Sequence, residues 1–503
     1  MRPTSSLALL LLLTTSLTWA GGDDEDDDEA EDIAPARMKM EMDFAPVEIS
    51  APAMPAPMAP PGSFSARVGG SGDIEDLYLS LARGVLPDPG VIRPEGLFAM
   101  HDLPTRKTGP CDVTLCLLSE VSAVAPPALA PAQTFVMLGF DTNLPLEGWS
   151  RPPIHFAVVI DADPALLREG GGGLVGALLG LQANLGPQDT LSLVSAGRDP
   201  AVVTQGLAGD DQGGWVSAAR RVTLSPEGQV SQGVERAARL LQETTTPGHQ
   251  QRVVVLSGGA SHRMGAAPDT LKRQAERLAE SGVGVTTLTL GGGLDNVGMA
   301  ALAGAKGGAF SRAPSLEGLA RVFGEDFEAL FVPLAYRFGL EISPASGWRL
   351  SGVFGVPEAA LTWDSAGVAR LNVETLFVSR KRGAIYLSFA PEGVSGMPPA
   401  PLREGSALAE VRLSYQQLSG EWVVGTRRLA PEPSELESTG LTDGRALVQW
   451  LITLRHALTL HQAGDVDGAL NVLAHLGWGQ AEAARFPREH AAWLETLALM
   501  QAQ

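Results

Sequence analysis

Between residues 151 and 332 the chain alternates short, wholly apolar runs with stretches whose apolar residues recur every three or four positions. Phe156-Ala-Val-Val-Ile-Asp161 is five apolar residues ending in an acid, the composition of a strand buried on both faces, as in a parallel sheet covered by helices. Residues 174–185 place apolar positions at helical spacing, 190–195 (Thr-Leu-Ser-Leu-Val-Ser) predict the next strand, and 230–242 another helix. Arg252-Val-Val-Val-Leu-Ser257-Gly-Gly259 is a second buried strand emptying into a glycine loop. Residues 270–281 predict an amphipathic helix, 283–290 a third hydrophobic strand and 296–304 a short helix, with a small strand near Phe310. This alternation predicts a doubly wound α/β domain with a mainly parallel sheet and right-handed crossovers. Ligands of such sheets sit at the carboxyl ends of strands, where Asp161 and Gly258 fall.

Past residue 333 the period changes to two. Leu340-Glu-Ile-Ser, Trp348-Arg-Leu-Ser, Arg370-Leu-Asn-Val, Ala384-Ile-Tyr-Leu-Ser-Phe and Ala409-Glu-Val-Arg-Leu-Ser-Tyr alternate apolar and polar residues between Gly and Pro turns. They predict a β-sandwich-like, antiparallel module over 333–432, to which residues 125–150 add strands. From 440 to 503 helical spacing returns, and the Ala463-Gly-Asp-Val-Asp-Gly-Ala-Leu turn resembles a single tetratricopeptide-type hairpin. One such hairpin cannot bury its own apolar face, so it must dock on the rest of the chain or on a partner.

The beginning of the chain sets the compartment. Arg2, the apolar run 7–13 and the small-residue ending Thr18-Trp-Ala20 predict a secretory signal over 1–20. Residues 21–32 then hold nine acids in twelve positions, a solvated segment that buries nothing, and the Pro, Ala and Met repeats that follow extend the expected linker to residue 72. A cap with helices and strands is expected over 73–150. With a formal net charge of −20, nucleic acid and anionic lipid surfaces are poor partners, because few basic clusters are present to release their counterions. The expected partner is therefore a protein, with no stable membrane insertion once the signal is removed. Thirty-two arginines against five lysines point to a GC-rich bacterial source by correlation alone, and localisation is expected to be periplasmic or extracellular.

The strand ending at Asp161, with Asp163 and Ala165 after it, resembles the first strand of a von Willebrand factor A domain, where Asp-x-Ser-x-Ser binds a divalent metal. The resemblance covers roughly residues 64–430. Asp76-Leu-Tyr-Leu-Ser-Leu-Ala-Arg-Gly-Val-Leu-Pro87 resembles the helix and Gly-x-Leu-Pro turn that precede this domain in a bacterial subfamily. Leu288-Thr-Leu-Gly-Gly-Gly-Leu-Asp-Asn296 with Leu302-Ala-Gly-Ala-Lys-Gly-Gly-Ala-Phe310 is similar to the way those domains close. The family implies a metal held by two serines and a threonine, with two aspartates orienting its waters. Here the serine positions read Asp163 and Ala165, the threonine position Gly228 and the last aspartate Gly258. Mg²⁺ demands near-octahedral oxygen geometry, so a vestigial site and no cofactor are expected; a loose Ca²⁺ or Mg²⁺ site from Asp161 and Asp163 with Ser231 or Ser257 is the alternative.

Little else carries chemistry. Cys111 and Cys116 form an isolated pair that an oxidising compartment would bridge, against the alternative of a buried free pair. A straight strand would hold their Cα atoms about 16 Å apart, so a bridge requires a turn between them. Neither Gly-x-Ser-x-Gly nor His-Glu-x-x-His occurs, and Ser257 or Ser261 with His262 is the nearest approach to a nucleophile and base. His456, His461 and His475 read as helix-face residues. The expectation is an exported, non-enzymatic interaction or scaffold protein. The alternatives are metal-dependent adhesion through Asp161 and Asp163, or a serine hydrolase.

Overall fold

The described residues of a computed structural model, 65–67, 73–107, 109–161, 173–223, 225, 227–244, 246–258, 263–290, 297–313, 315–392, 406–431 and 437–502, form three sheets and two sets of helices. The first elements are a short strand β1 (Ser65–Arg67), helices α1 (Asp73–Ala82) and α2 (Pro94–Ala99), and strands β2 (Cys116–Ser122) and β3 (Thr134–Asp141). Residues 65–67 fall inside the segment expected to be linker; instead they pair with the strand around Ser379, and Ser65 Oγ donates to Phe140 O at 2.9 Å.

The central domain follows as β4 (Ile154–Asp161), α3 (Gly173–Gln182), β5 (Thr190–Ser195), β6 (Ala201–Ala208), α4 (Gln212–Arg220), α5 (Val230–Glu243), β7 (Gln250–Ser257), α6 (Pro268–Glu280), β8 (Val283–Leu290), α7 (Val297–Ala303), β9 (Ala309–Ala313) and α8 (Leu316–Phe331). Its sheet runs β6-β5-β4-β7-β8-β9, parallel throughout except for the edge strand β6. Every residue of β4 is buried, and alternate side chains serve opposite layers. Phe156, Val158 and Ile160 pack with Leu174, Leu178, Leu319 and Phe323 of α3 and α8. Ala157 and Val159 pack with Val230, Val234, Leu271, Met299 and Leu302 of α5, α6 and α7. At about 1.5–3 kcal/mol for each large apolar side chain taken out of water, this two-sided burial is what fixes β4 at the centre.

Within the central domain, three of the described elements lie outside the sequence expectation. Strand β6 is half-exposed and turns at Gly206, whose φ of +66° few other residues adopt. Helix α4 starts where Asp211 accepts from Gly214 N–H at 2.9 Å and buries Trp215 completely. Helix α8 starts at the Ser315 cap and carries Phe323, Phe327 and Phe331 into the core.

Beyond α8 come β10 (Pro333–Pro344), β11 (Trp348–Phe354), β12 (Leu361–Trp363), β13 (Ala369–Ser379), β14 (Ala384–Pro391), β15 (Ala409–Gln416) and β16 (Trp422–Leu429). One antiparallel sheet runs β1-β13-β10-β15-β16, with β12 also on β13; the other runs β11-β14-β3-β2. Strands from before and after the central domain thus share a sheet, so the regions 73–150 and 333–432 interleave rather than form separate bodies. Alternation puts Val136, Leu138, Ile385 and Leu387 against Leu340, Ile342, Leu371 and Val411 of the facing sheet.

The other face of that second sheet, with Phe135, Met137 and Tyr386, is covered by helices. These are α9 (Thr439–Gln462), α10 (Val466–Ala474), α11 (Gln480–Arg485) and α12 (Pro487–Gln501), so the region of helical spacing holds four helices, with the hairpin turn between the first two. Gly444 on α9 leaves room for the Tyr386 ring and Gly440 for the main chain of Leu103 and Pro104 and for Met137, and Tyr386 Oη donates to Gly440 O at 2.7 Å. The expected turn is present, with Gly464 at φ +86° and Asp465 accepting from Gly468 N–H at 2.9 Å.

Candidate functional site

Asp161 and Ser257 are register partners at the carboxyl ends of β4 and β7. Here the sheet order reverses direction: the chain leaves β4 toward β5 on one side and reaches β7 on the other, which opens the crevice where doubly wound sheets hold ligands. Ser257 Oγ donates to Asp161 Oδ2 at 2.6 Å. The loop after β7 then returns Arg263 to the same carboxylate, its Nε donating to Oδ1 at 3.0 Å and Oδ2 at 3.2 Å and its Nη2 donating to Oδ1 at 2.5 Å. Nη2 also donates to Ser225 O at 2.9 Å, in the loop between α4 and α5. Asp161, Ser257 and Arg263 are 1%, 0% and 4% exposed.

Removing an ion pair from water is costly unless the geometry is good and the remaining hydrogen-bonding capacity is used. Both conditions hold here. The planar fork of the guanidinium meets both carboxylate oxygens, the serine hydroxyl takes a further lone pair, and a backbone carbonyl takes a further guanidinium proton.

Gly228 completes the enclosure. A Cβ there would stand 2.3 Å from Asp161 Oδ1 and 3.0 Å from Arg263 Nε, so the carboxylate and guanidinium fill the space a side chain at 228 would need. Toward solvent, Arg198 Nε donates to Glu227 Oε2 at 2.6 Å on an exposed rim.

A hard divalent cation needs several oxygen ligands with lone pairs turned inward. The described residues do not fit one: Asp161 already accepts from a serine and a guanidinium, and Gly228 and Gly258 bring no oxygen on a side chain. Arg263 supplies at this place a positive charge that is part of the chain, fixed in position and independent of metal supply. A guanidinium is a donor only, and here it ties the loop after β7 to the end of β4 and to the loop between α4 and α5.

The other candidates lie elsewhere. Ser231, at the start of α5, donates to Gln274 Oε1 at 3.0 Å while Gln274 Nε2 donates back to Ser231 O at 2.9 Å. Its hydroxyl therefore ties α5 to α6 and is not turned to Asp161, which corrects its expected place among the vestigial ligands. Asp163, Ser261 and His262 lie outside the described residues, and the candidate nucleophile Ser257 spends its proton on Asp161. His475 Nδ1 lies 2.6 Å from Asn471 O on its own helix. Among the described residues, no group of three or more His, Cys, Asp or Glu gathers as a metal site, and no helix is long and apolar enough to cross a membrane. Cys111 and Cys116 are joined in a disulfide with Cα atoms 5.8 Å apart, and the loop between them is anchored where Leu115 N–H donates to Tyr415 Oη at 3.2 Å.

Sequence reasoning missed Arg263. A signal was present: a strand-end carboxylate buried in a sheet requires a cation, and Arg263 is the one permanent cation between Arg252 and Lys272. Two further buried groups at the amino ends of the strands were also missed. His155 Nε2 lies 2.7 Å from His249 Nδ1 and His155 Nδ1 lies 2.6 Å from Thr190 Oγ1. Burial first, and then His249, hold the His155 pKa below its ordinary 6.5, against a smaller opposite effect of Asp189. Arg252 donates to Thr286 Oγ1 at 3.1 Å and Gly307 O at 2.7 Å, and burial pulls its pKa down to about 10.

No family model matches the sequence, and no curated protein matches it either. Solved structures do. The chain is similar to a von Willebrand factor type A protein from Catenulispora acidiphila at 12% identity and TM-score 0.46, over 78% of this chain and 91% of that one. It is similar to the ArnB paralog VWA2 from Sulfolobus acidocaldarius at 16% identity and TM-score 0.36, over 77% of this chain and 96% of that one. A third is the pilus adhesin SpaC from Lactobacillus rhamnosus GG in its open conformation, at 11% identity and TM-score 0.33, over 65% of this chain and 49% of that one. The central domain's strand order, with its antiparallel edge strand and a buried aspartate at the switch point, agrees with the sequence resemblance to a von Willebrand factor A domain.

Proposed function

We propose that this protein is an exported, non-enzymatic interaction or scaffold protein whose A-type domain recognises a protein partner without a metal ion. The observation that carries this reading is the Arg263 guanidinium closed on both oxygens of Asp161, 4% exposed, where the family places its cation. In this domain the aspartate is turned toward its own chain. Recognition then falls to loop shape and to the surfaces of the flanking modules. The signal over residues 1–20 and the acidic segment after it support export, and the charge of −20 supports a protein partner over nucleic acid.

The test is capture of partners from an envelope extract with the mature chain as bait, in EDTA and in millimolar Mg²⁺ and Ca²⁺. The same proteins are expected in all three conditions. A set lost in EDTA and restored by either cation would support metal-dependent adhesion through Asp161 and Asp163 instead.

A further inference from the structure

Arg252, near the amino end of β7, is 2% exposed. Its side chain runs into the seam between the central domain and the sandwich, with the Gly307 carbonyl on one side and the Phe377 ring, its centroid 5.8 Å from Cζ, on the other. One nitrogen of the guanidinium is used. Nη1 donates to Gly307 O at 2.7 Å and to Thr286 Oγ1 at 3.1 Å, Nε is buried without a partner, and Nη2 makes no hydrogen bond among the described residues. No carboxylate pairs with it among the described residues either: burial pulls its pKa down to about 10, and the one group acting against that is Tyr336. Arginine is almost never fully buried without a counter-charge, because the desolvation of a lone cation is not repaid.

We propose that the Nε and Nη2 edge of Arg252 holds a small monovalent anion of the halide class, chloride foremost. The protons of these two nitrogens point side by side, the arrangement in which a guanidinium grips an anion. Tyr336 supplies a third donor. Burial raises its phenol pKa above the ordinary 10, against a smaller opposite effect of Arg252, so the hydroxyl keeps its proton at neutral pH. Lys306 stands exposed at the rim, its Nζ 4.3 Å from the centroid of the Tyr336 ring, and adds positive charge at the entrance. Three donors satisfy a halide, whereas a carboxylate brings about four lone-pair sites and would leave some of them unmet in so closed a place.

The backbone around the site is shaped accordingly. Directly after Tyr336 the pairing of β10 with β15 slips, and Arg337 takes φ +47°, a left-handed conformation that residues other than glycine hold only where their surroundings impose it. Bulges of this kind re-aim a neighbouring side chain. On the opposite side Gly284, the register partner of Arg252, must stay bare: a Cβ there would stand 2.6 Å from Gly307 O and 3.0 Å from Arg252 Nη1, so its absence leaves room for the Nη1 contact. An anion on the remaining edge neutralises the buried charge and ties β7 of the central domain to β10 of the sandwich. It is therefore bound by the folded chain alone, and its binding adds to stability.

Thermal unfolding of the mature chain in sodium chloride, with gluconate replacing chloride at constant ionic strength, is the test. The unfolding temperature should rise with chloride and level off as a single site fills. Arg252→Met puts an apolar side chain of similar length in the seam, a replacement that buried charges commonly tolerate; it should fold without chloride and lose the rise. Tyr336→Phe keeps the ring, removes the third donor and covers the case in which Arg252→Met does not fold: its rise should need several-fold more chloride. Crystals grown in bromide should show an anomalous peak at Arg252 Nε and Nη2. Equal unfolding temperatures in chloride and gluconate would overturn the proposal, as would a rise that Arg252→Met retains, a chloride requirement that Tyr336→Phe leaves unchanged, or bromide peaks that all lie away from Arg252.

Discussion

Arg263 lies on a loop 102 residues beyond Asp161, the last residue of β4, yet its guanidinium reaches both oxygens of the carboxylate inside a site with almost no exposure. Removing either partner alone leaves a buried charge uncompensated, which costs about 3–5 kcal/mol. Asp161→Ala and Arg263→Ala should each lower the denaturant midpoint by that order, and the double variant by clearly less than their sum. Chemical unfolding of the four proteins measures the coupling; additive losses would mean that the two groups do not depend on each other.

Gly228 is held small by the same pair. A methyl at this position meets Asp161 Oδ1 at 2.3 Å, and overpacking of this kind costs about 1–3 kcal/mol. Gly228→Ala should therefore lower the unfolding temperature in the parent and cost less in an Asp161→Ala background. Equal losses in both backgrounds would place the clash elsewhere.

The His155/His249 contact predicts a pH dependence. Because the folded pKa of His155 lies below its ordinary 6.5, the unfolded chain takes up this proton first as pH falls. The stability it contributes is full above about 6.5 and is lost as pH drops through the depressed folded value. The groups facing it are His249, Thr190 and Asp189. Unfolding free energies at pH 7.5 and 5.5 should differ less in His155→Gln than in the parent, and an unchanged difference would remove the histidine pair from the account.

The bridge between Cys111 and Cys116 closes a short loop at the start of β2. Loop-closure entropy for so few residues is about 2 kcal/mol, so the double Ser variant should unfold at lower denaturant by up to that amount. It should keep the β-sheet signal in circular dichroism, since Leu115 retains its bond to Tyr415. Loss of the fold would mean that the bridge holds more than its loop.

Much of the central domain was legible because its strands are buried on both faces: 190–195 and 283–290 match β5 and β8 to the residue. Strand β6 was not, because one face meets solvent and Gly206 breaks its period. Helix α8 was hidden by the Phe and Leu positions shared between the sheet and the sandwich. At the site, Asp161 and Ser257 were read from strand ends, where chemistry and periodicity agree. Arg263 was missed because its role comes from a loop returning through space to a strand it neither adjoins nor pairs with, and spacing along the chain carries no trace of that. Ser231 shows the complementary case: it stands three positions after Gly228 in the chain, but its hydroxyl is taken by Gln274 of α6.

Calorimetric titration of Mg²⁺, Mn²⁺ and Ca²⁺ into a form lacking the acidic residues 21–32 tests the central claim most directly, since those acids would otherwise bind ions diffusely. With the Arg263 guanidinium closed on Asp161, no saturable heat is expected from any of the three. A one-site isotherm that disappears in Asp161→Ala would contradict the account and return the domain to metal-dependent recognition.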